Sequence, residues 1–219
     1  MTKIQTASVQ VKICGITNEE DALWAVNFGS DFIGLNFYPE SPRKVGIDKA
    51  RDIAVKLPSF VKSVGIFVNP TIEEIEKVLK IVPLFAVQLH GEEKREDLEK
   101  IKSQFRVQTW KAIRIESEES LKKIEDFLGV ADQILLDTLR DGLAGGTGQT
   151  FDWNLAVKAK SFGLPIFLAG GLKAENVKEA ILAVEPKGVD AAGGVEKEGH
   201  PRRKDIDKMK LFISKAKGL

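Results

Sequence analysis

Apolar residues follow two alternating patterns along the chain: short β-branched runs, and longer stretches with an apolar residue every three or four positions. Several of the short runs are nearly continuous in apolar residues, which is typical of strands covered on both faces. The eight runs span residues 9–13, 31–37, 62–68, 85–89, 106–113, 133–137, 165–169 and 187–191. This alternation predicts a parallel sheet of βα units. Eight units favour a closed barrel, and an open doubly wound sheet is the alternative.

The stretches between the strands predict helices with one apolar face that packs on the sheet. Two such faces consist of Ile72, Ile75, Val78, Leu79 and Val82, and of Ile206, Met209, Phe212, Ile213 and Ala216. Helix starts are predicted at capping boxes, in which a hydroxyl and a carboxylate satisfy free backbone amides. Thr17 with Glu20 and Thr71 with Glu74 fit that pattern.

The length of 219 residues and the lack of a linker-like segment predict one domain over residues 1–219, with residues 1–8 as an N-terminal extension. The predicted fold class is α/β, a single-domain (β/α)8 TIM barrel. Functional sites in such barrels are built from the loops at the carboxyl ends of the strands. The residues that directly follow each strand are therefore the candidates for chemistry.

Charge and cysteine content narrow the function classes. Lys and Arg total 33 against 32 Asp and Glu, so the formal charge of +1 offers no field to attract nucleic acid or an anionic membrane. The basic run formed by His200, Arg202, Arg203 and Lys204 has no interleaved aromatics and is interpreted as a solvated loop. One cysteine forms no internal disulfide, and no apolar run has the length of a signal peptide or membrane span. A cytoplasmic protein without nucleic-acid or membrane partners is expected.

Two side chains with acid/base chemistry stand at strand ends. Cys14, the only thiol, follows the first strand, and Asp137 ends the sixth. On position alone, a lone cysteine is more often a small core residue than a catalytic group, and an aspartate at such a place can simply cap a turn. Together they form a candidate acid/base pair.

Glycines cluster in the loops after three late strands. These are Gly145, Gly146 and Gly148 after the sixth strand, Gly170 and Gly171 after the seventh, and Gly193 and Gly194 after the eighth. Barrels often bind phosphate at loops seven and eight, because glycine lets backbone amides approach an anion closely. A small phosphorylated substrate is therefore predicted. No group of His, Cys and carboxylate residues has metal-ligand spacing, and no metal is expected.

Three further residues are candidates at the strand ends. Arg43, in the loop after the second strand, could bind a carboxylate through its forked guanidinium, although a solvated arginine is the simpler interpretation. Gln88 and His90 close the fourth strand, where structural hydrogen bonding is favoured over direct catalysis for both.

Short motifs occur along the whole chain: KICGIT at 12–17, SPR at 41–43, VQLHG at 87–91, LD at 136–137, GGTG at 145–148 with FDW at 151–153, and AGGL at 169–172. With these motifs in this order, the chain resembles the phosphoribosylanthranilate isomerase family from about residue 9 to the C-terminal helix. Such joint occurrence is far more specific than any single motif.

The resemblance implies an Amadori rearrangement without a cofactor, which turns N-(5-phosphoribosyl)anthranilate into 1-(2-carboxyphenylamino)-1-deoxyribulose 5-phosphate. By that resemblance Asp137 is the general acid and Cys14 the general base, and Arg43 meets the anthranilate carboxylate. The substrate-binding residues implied are Gln88, His90, Asp190 and the loop glycines Gly146, Gly148, Gly170, Gly171, Gly193 and Gly194.

The chain departs from the family pattern in two loops. Where the family has Asp-x-Ser-Ser-Gly-Val-Glu, this chain has Asp190-Ala-Ala-Gly-Gly-Val-Glu196, which removes two hydroxyls. Gly170-Gly-Leu-Lys173 likewise lacks the hydroxyl that usually ends this motif and could cap a helix. Backbone amides alone would then bind the phosphate.

Two other function classes compete with this interpretation. A related isomerase of histidine biosynthesis would share the phosphate loops but use two aspartates, and Cys14 argues against it. A catalytically silent barrel that binds a phosphorylated ligand is the second, and the presence of both Cys14 and Asp137 counts against it. The sequence leaves monomer and homodimer both open.

Overall fold

The computed structural model describes residues 9–137 and 153–218, which form a closed barrel of eight parallel strands with consecutive strands adjacent and β1 paired to β8. The strands are β1 Gln10–Ile13, β2 Phe32–Asn36, β3 Lys62–Phe67, β4 Ala86–Leu89, β5 Gln108–Arg114, β6 Gln133–Asp137, β7 Ile166–Ala169 and β8 Gly188–Ala191. Closure confirms the predicted TIM barrel and excludes the open sheet. The predicted N-terminal extension at 1–8 lies outside the described residues.

Eight helices of the described chain cover the barrel. They are α1 Glu19–Asn27, α2 Ile47–Ala54, α3 Ile72–Leu79, α4 Arg95–Gln104, α5 Glu118–Leu121, α6 Trp153–Ala159, α7 Val177–Val184 and α8 Ile206–Lys217. The predicted apolar faces are buried where expected: Ile75 and Val78 on α3, and Met209 and Phe212 on α8. None of these helices has the length and apolar character needed to span a membrane.

Two packed layers follow from the alternation of side chains along each strand. Residues on one face, such as Val11 and Ile13 of β1, join the core between strands and helices. Residues on the other face fill the barrel interior, where the rings of Phe32, Trp110 and Phe167 lie with centroids 5.0 to 5.6 Å apart. This aromatic cluster fills the barrel interior, and active sites of such barrels lie in the loops at the carboxyl ends of the strands.

One predicted capping box is confirmed and the other is wrong. Thr71 accepts from the amide of Glu74, whose carboxylate accepts from the Thr71 amide, and α3 begins there. In α1 the N-cap is Asn18, whose side chain accepts from the amide of Asp21. The Thr17 hydroxyl instead donates to the carbonyl of Arg202 at 2.6 Å, a contact that local spacing cannot reveal.

The basic run near the C-terminus is a strand rather than the predicted loop, and it is solvated as predicted at Arg202 and Arg203 but not at Lys204. It forms β10 (His200–Lys204), which pairs antiparallel with β9 (Glu196–Lys197). His200 is exposed, but the Lys204 side chain is almost fully buried against the barrel mouth. This hairpin therefore brings a cation into the region where the strands end.

Candidate active site

Cys14 lies directly beyond β1, at the carboxyl end of the strand. Its amide donates to the carbonyl of Ala191 at 2.8 Å, which ties it to β8. The sulfur lies against Gly34 of β2, where an added Cβ atom would come within 2.9 Å of the sulfur. Burial raises the pKa of the Cys14 thiol, and the neighbouring Lys12 ammonium opposes that shift.

Below Cys14, the barrel interior holds a buried ion pair. Lys12 Nζ lies 3.0 Å from Asp190 Oδ2, with the two side chains 0% and 8% exposed. The two residues are direct partners in the β1–β8 ladder, so the strand register fixes the pair. Burial opposes the charge on Lys12, but Asp190 and Cys14 together raise its pKa above the usual value.

Asp137 ends β6, and its side chain is 18% exposed at the mouth. Asp137 Oδ2 lies 3.1 Å from Nε2 of His90, which follows β4. A neutral carboxyl can donate a hydrogen bond to that nitrogen, whereas an ionised one can accept a hydrogen bond from its N–H. The contact lies at the barrel mouth, three strands around the closed sheet from β1 and Cys14.

The loop that carries His90 is held by a second buried ion pair, between Lys111 of β5 and Glu93. Lys111 Nζ donates to Glu93 Oε2 at 3.0 Å and to the carbonyl of Gly91 at 2.8 Å. The Glu93 carboxylate also accepts from the amides of Gly91 and Asn69. The backbone next to His90 is therefore held at both of its polar groups, because the amide of Gly91 donates to Glu93 and its carbonyl accepts from Lys111.

Arg43 is not the free surface side chain that position alone favoured. Its Nε and Nη2 atoms donate to the two carboxylate oxygens of Glu196, at 2.6 and 2.8 Å. Glu196 also accepts from Lys204 Nζ at 3.0 Å, and this lysine donates in addition to the carbonyl of Ala192. Hydrogen bonding to Glu196 raises the pKa of Arg43, whereas burial lowers the pKa of Lys204.

The glycine loops after β7 and β8 pack against each other. Gly170 and Gly171 both have positive φ angles, of 81° and 66°, so that turn favours residues without a side chain. Gly194 approaches the carbonyl of Leu172 so closely that a Cβ atom would lie 2.0 Å from its oxygen. Gly193 is the first residue of a single helical turn, where backbone amides have no partner within the turn. The predicted residues Gly145, Gly146 and Gly148 lie outside the described residues.

Two buried oxygens of the predicted site have no hydrogen-bond partner within the described chain. They are Oε1 of Gln88 and Oδ1 of Asp190, on residues that are 1% and 8% exposed. Leaving such an acceptor unpaired costs about 1 to 3 kcal/mol. A ligand that supplies hydroxyl donors would recover that cost.

Sequence reasoning missed three charged residues of this region: Lys12, Glu196 and Lys204. Lys12 had a detectable signal, because it sits inside an otherwise apolar strand with Cys14 on the same face. Glu196 and Lys204 gave no comparable signal, since their roles depend on a hairpin that brings them back to the barrel mouth.

A family model described as N-(5'-phosphoribosyl)anthranilate isomerase matches residues 11–215. An N-(5'-phosphoribosyl)anthranilate isomerase from Pseudomonas paraeruginosa is 45% identical over 207 residues, which cover 94% of each chain. Monomers generated from the dimeric phosphoribosylanthranilate isomerase of Thermotoga maritima superpose with a TM-score of 0.84 at 44% identity, over 96% of this chain and 100% of that one. A phosphoribosylanthranilate isomerase in complex with reduced 1-(o-carboxyphenylamino)-1-deoxyribulose 5-phosphate gives a TM-score of 0.85 at 43% identity and the same coverage.

Proposed function

The chain belongs to the phosphoribosylanthranilate isomerase family, and we propose that Cys14 and Asp137 are the base and the acid of its reaction. It is an isomerase of tryptophan biosynthesis that converts N-(5'-phosphoribosyl)anthranilate to 1-(2-carboxyphenylamino)-1-deoxyribulose 5-phosphate. The placement of a thiol and a carboxyl group at the ends of β1 and β6, on two sides of one barrel mouth, is the observation that carries the assignment of roles.

In the proposed sequence of steps, Asp137 gives its proton to the ribose ring oxygen and the furanose opens to a Schiff base. The Cys14 thiolate then takes the proton from C2, which leaves an enolamine. The Cys14 thiol then gives its proton to C1, and the C2 hydroxyl proton passes by way of His90 to the Asp137 carboxylate, so that the ketone forms and both groups regain their starting state. One step needs a donor and the next an acceptor, and two groups in different environments can divide these tasks.

The His90 contact supports the acid role of Asp137. A general acid must hold a proton in the resting site, and the 3.1 Å separation of Asp137 Oδ2 and His90 Nε2 allows that proton to be shared. His90 would then return a proton to Asp137 after each turnover. The loop bound by Glu93 and Lys111 keeps the imidazole in place for this exchange.

Arg43 is proposed to bind the anthranilate carboxylate. Glu196 engages its Nε and Nη2 atoms, which orients the planar guanidinium and leaves Nη1 to meet a second carboxylate. An arginine whose charge and plane are already fixed loses less entropy when the substrate binds.

The rest of the substrate is proposed to lie between Arg43 and the glycine loops. Gly170, Gly171, Gly193 and Gly194 would bind the phosphate through backbone amides, and the part assigned to Gly146 and Gly148 stays a prediction. The unpaired oxygens of Gln88 and Asp190 are suited to accept hydrogen bonds from ribose hydroxyls.

The test follows the fluorescence of phosphoribosylanthranilate, generated in place, with equal concentrations of folded wild type, Cys14→Ser and Asp137→Asn. Wild type should accelerate the decay, and each variant should lose about 100- to 10,000-fold, the usual contribution of a general acid or base. Folded wild type without activity would contradict the reaction itself. A fully active variant would remove that residue from the mechanism.

The sequence left monomer and homodimer open, and we propose the homodimer because the Thermotoga maritima relative is dimeric. Sedimentation velocity decides this, and a monomer mass would contradict it. A cytoplasmic location, a single domain over residues 1–219 and the absence of a cofactor remain predictions.

A further inference from the structure

Lys12 is a charged residue buried inside the barrel, and the reaction scheme above gives it no part. Lysine is almost never fully buried unless it is paired, and here the side chain is 0% exposed. Ile13 separates it from Cys14, so Lys12 and Cys14 point to the same face of the strand. We propose that Lys12 is a positioning residue that holds its ammonium beside the Cys14 sulfur and stabilises the thiolate.

The strand pairing fixes this arrangement in space. Lys12 is the ladder partner of Asp190 on β8, and its Nζ donates to Asp190 Oδ2 at 3.0 Å. The amide of Cys14 is held to the carbonyl of Ala191 on the same strand. An ammonium has three donors. Asp190 accepts from one of them, and the field of the Cys14 sulfur acts on the same ammonium.

The other charged groups near Cys14 are less able to stabilise its thiolate. Among the residues that the structure describes, the charged groups whose fields reach the sulfur are Lys12, Asp190, Lys204 and Arg43. Of these, Arg43 and Lys204 are both bound to the carboxylate of Glu196. Burial raises the pKa of Cys14, Lys12 is the main group that lowers it, and Asp190 raises it.

Lys12 transfers no proton in this proposal. Its own pKa is raised by Asp190 and Cys14, against the effect of burial, so the ammonium keeps its charge while the sulfur gains and loses the C2 proton. The importance of Lys12 for turnover rests on the proposed role of Cys14 as the base. The electrostatic coupling between the two side chains does not, and it can be measured separately.

Cys14 is the only cysteine of the chain, so alkylation by iodoacetamide reports on this thiol alone. The rate of alkylation of the whole folded protein is followed against pH, and its midpoint gives the pKa of Cys14, because only the thiolate reacts. Lys12→Met should move the midpoint up by about one unit or more, which means about tenfold slower alkylation at neutral pH. Asp190→Asn should move it down, because the carboxylate opposes the thiolate.

Lys12→Met leaves Asp190 buried without its partner, which could prevent folding. A second comparison therefore uses Asp190→Asn and the double variant Lys12→Met/Asp190→Asn, which differ only in the lysine. Circular dichroism checks that both are folded. The midpoint should be higher in the double variant.

The matched control is Lys111→Met/Glu93→Gln, which removes a different buried ion pair, outside the barrel interior. Its midpoint should equal that of wild type. Equal midpoints in Asp190→Asn and the Lys12 double variant, or a control that shifts as far, would overturn the role of Lys12. Because alkylation needs no turnover, failure here is distinct from failure of the base assignment, which an active Cys14→Ser would show.

Discussion

Ala192 and Gly193 stand where the family pattern has two serines, in the loop proposed to bind phosphate. Room for a side chain exists there, because a Cβ atom on Gly193 would lie no closer than 3.6 Å to its nearest neighbour, Arg43 Nη2. The space that a side chain at position 193 would occupy is therefore still open. The proposed phosphate site in this chain consists of backbone donors.

Restoring the hydroxyls tests that assignment. Ala192→Ser/Gly193→Ser should lower KM by about tenfold or more with little change in kcat, since each hydrogen bond to a charged group contributes about 1.5 to 3 kcal/mol. Steady-state kinetics and inhibition by inorganic phosphate measure the effect. Gly193→Ala is the control, because it adds the Cβ atom without a donor. An unchanged KM in the serine variant, or an equal change in the alanine variant, would argue against phosphate binding at this loop.

At the level of single residues, the sequence predicts some features of the site and misses others. Cys14 and Asp137 were identifiable because one directly follows a strand and the other ends one, a purely local feature. The partner of Arg43 was not, since Glu196 lies 153 residues further along the chain. Position alone therefore suggested a solvated arginine, although the side chain is oriented by a bidentate ion pair.

Among the structural elements, the loop between β4 and α4 depends most on one buried interaction. Lys111 and Glu93 are each 4% exposed and bind backbone groups of that loop as well as each other. Burial lowers the pKa of Lys111, so the pair must offset a desolvation cost through these additional hydrogen bonds. By holding this loop, the Lys111–Glu93 pair also fixes the position of His90.

Replacing one partner of this ion pair should lower the free energy of unfolding more than replacing both partners. Lys111→Met leaves the Glu93 carboxylate buried and unpaired and should lower the free energy of unfolding by about 3 to 5 kcal/mol. Lys111→Met/Glu93→Gln has no buried charge and should recover most of the loss. Urea denaturation measures both. A double variant as unstable as the single one would show that the ion pair itself, rather than an unpaired charge, governs stability.

The boundaries of helices and strands were predictable where they depend on neighbouring residues, and not where they depend on residues far along the chain. The capping box at Thr71 and Glu74 was predictable, because both partners lie within one turn. The one predicted at Thr17 was wrong, since its hydroxyl donates to Arg202, 185 residues away. The hairpin of β9 and β10 was missed for a related reason: its basic residues suggest solvent, and only the folded chain shows that Lys204 meets Glu196.

At the scale of the whole molecule, closure of the barrel is what assembles the site. The eight strands were predictable from their apolar runs, and pairing of β1 with β8 brings Lys12 and Cys14 next to Asp190 and Ala191. The contact of His90 with Asp137 likewise joins residues from β4 and β6 ends, 47 positions apart. Such contacts arise from topology, and sequence alone indicates only which residues are available.

We expect the two sides of the mouth to perform different steps, with Asp137 opening the ring and Cys14 removing the C2 proton. Substrate that carries deuterium at ribose C2 separates these steps in single-turnover experiments. Slower proton abstraction in Cys14→Ser should enlarge the isotope effect relative to wild type, whereas slower ring opening in Asp137→Asn should suppress it towards unity. A suppressed isotope effect in Cys14→Ser, or an enlarged one in Asp137→Asn, would contradict the division of roles.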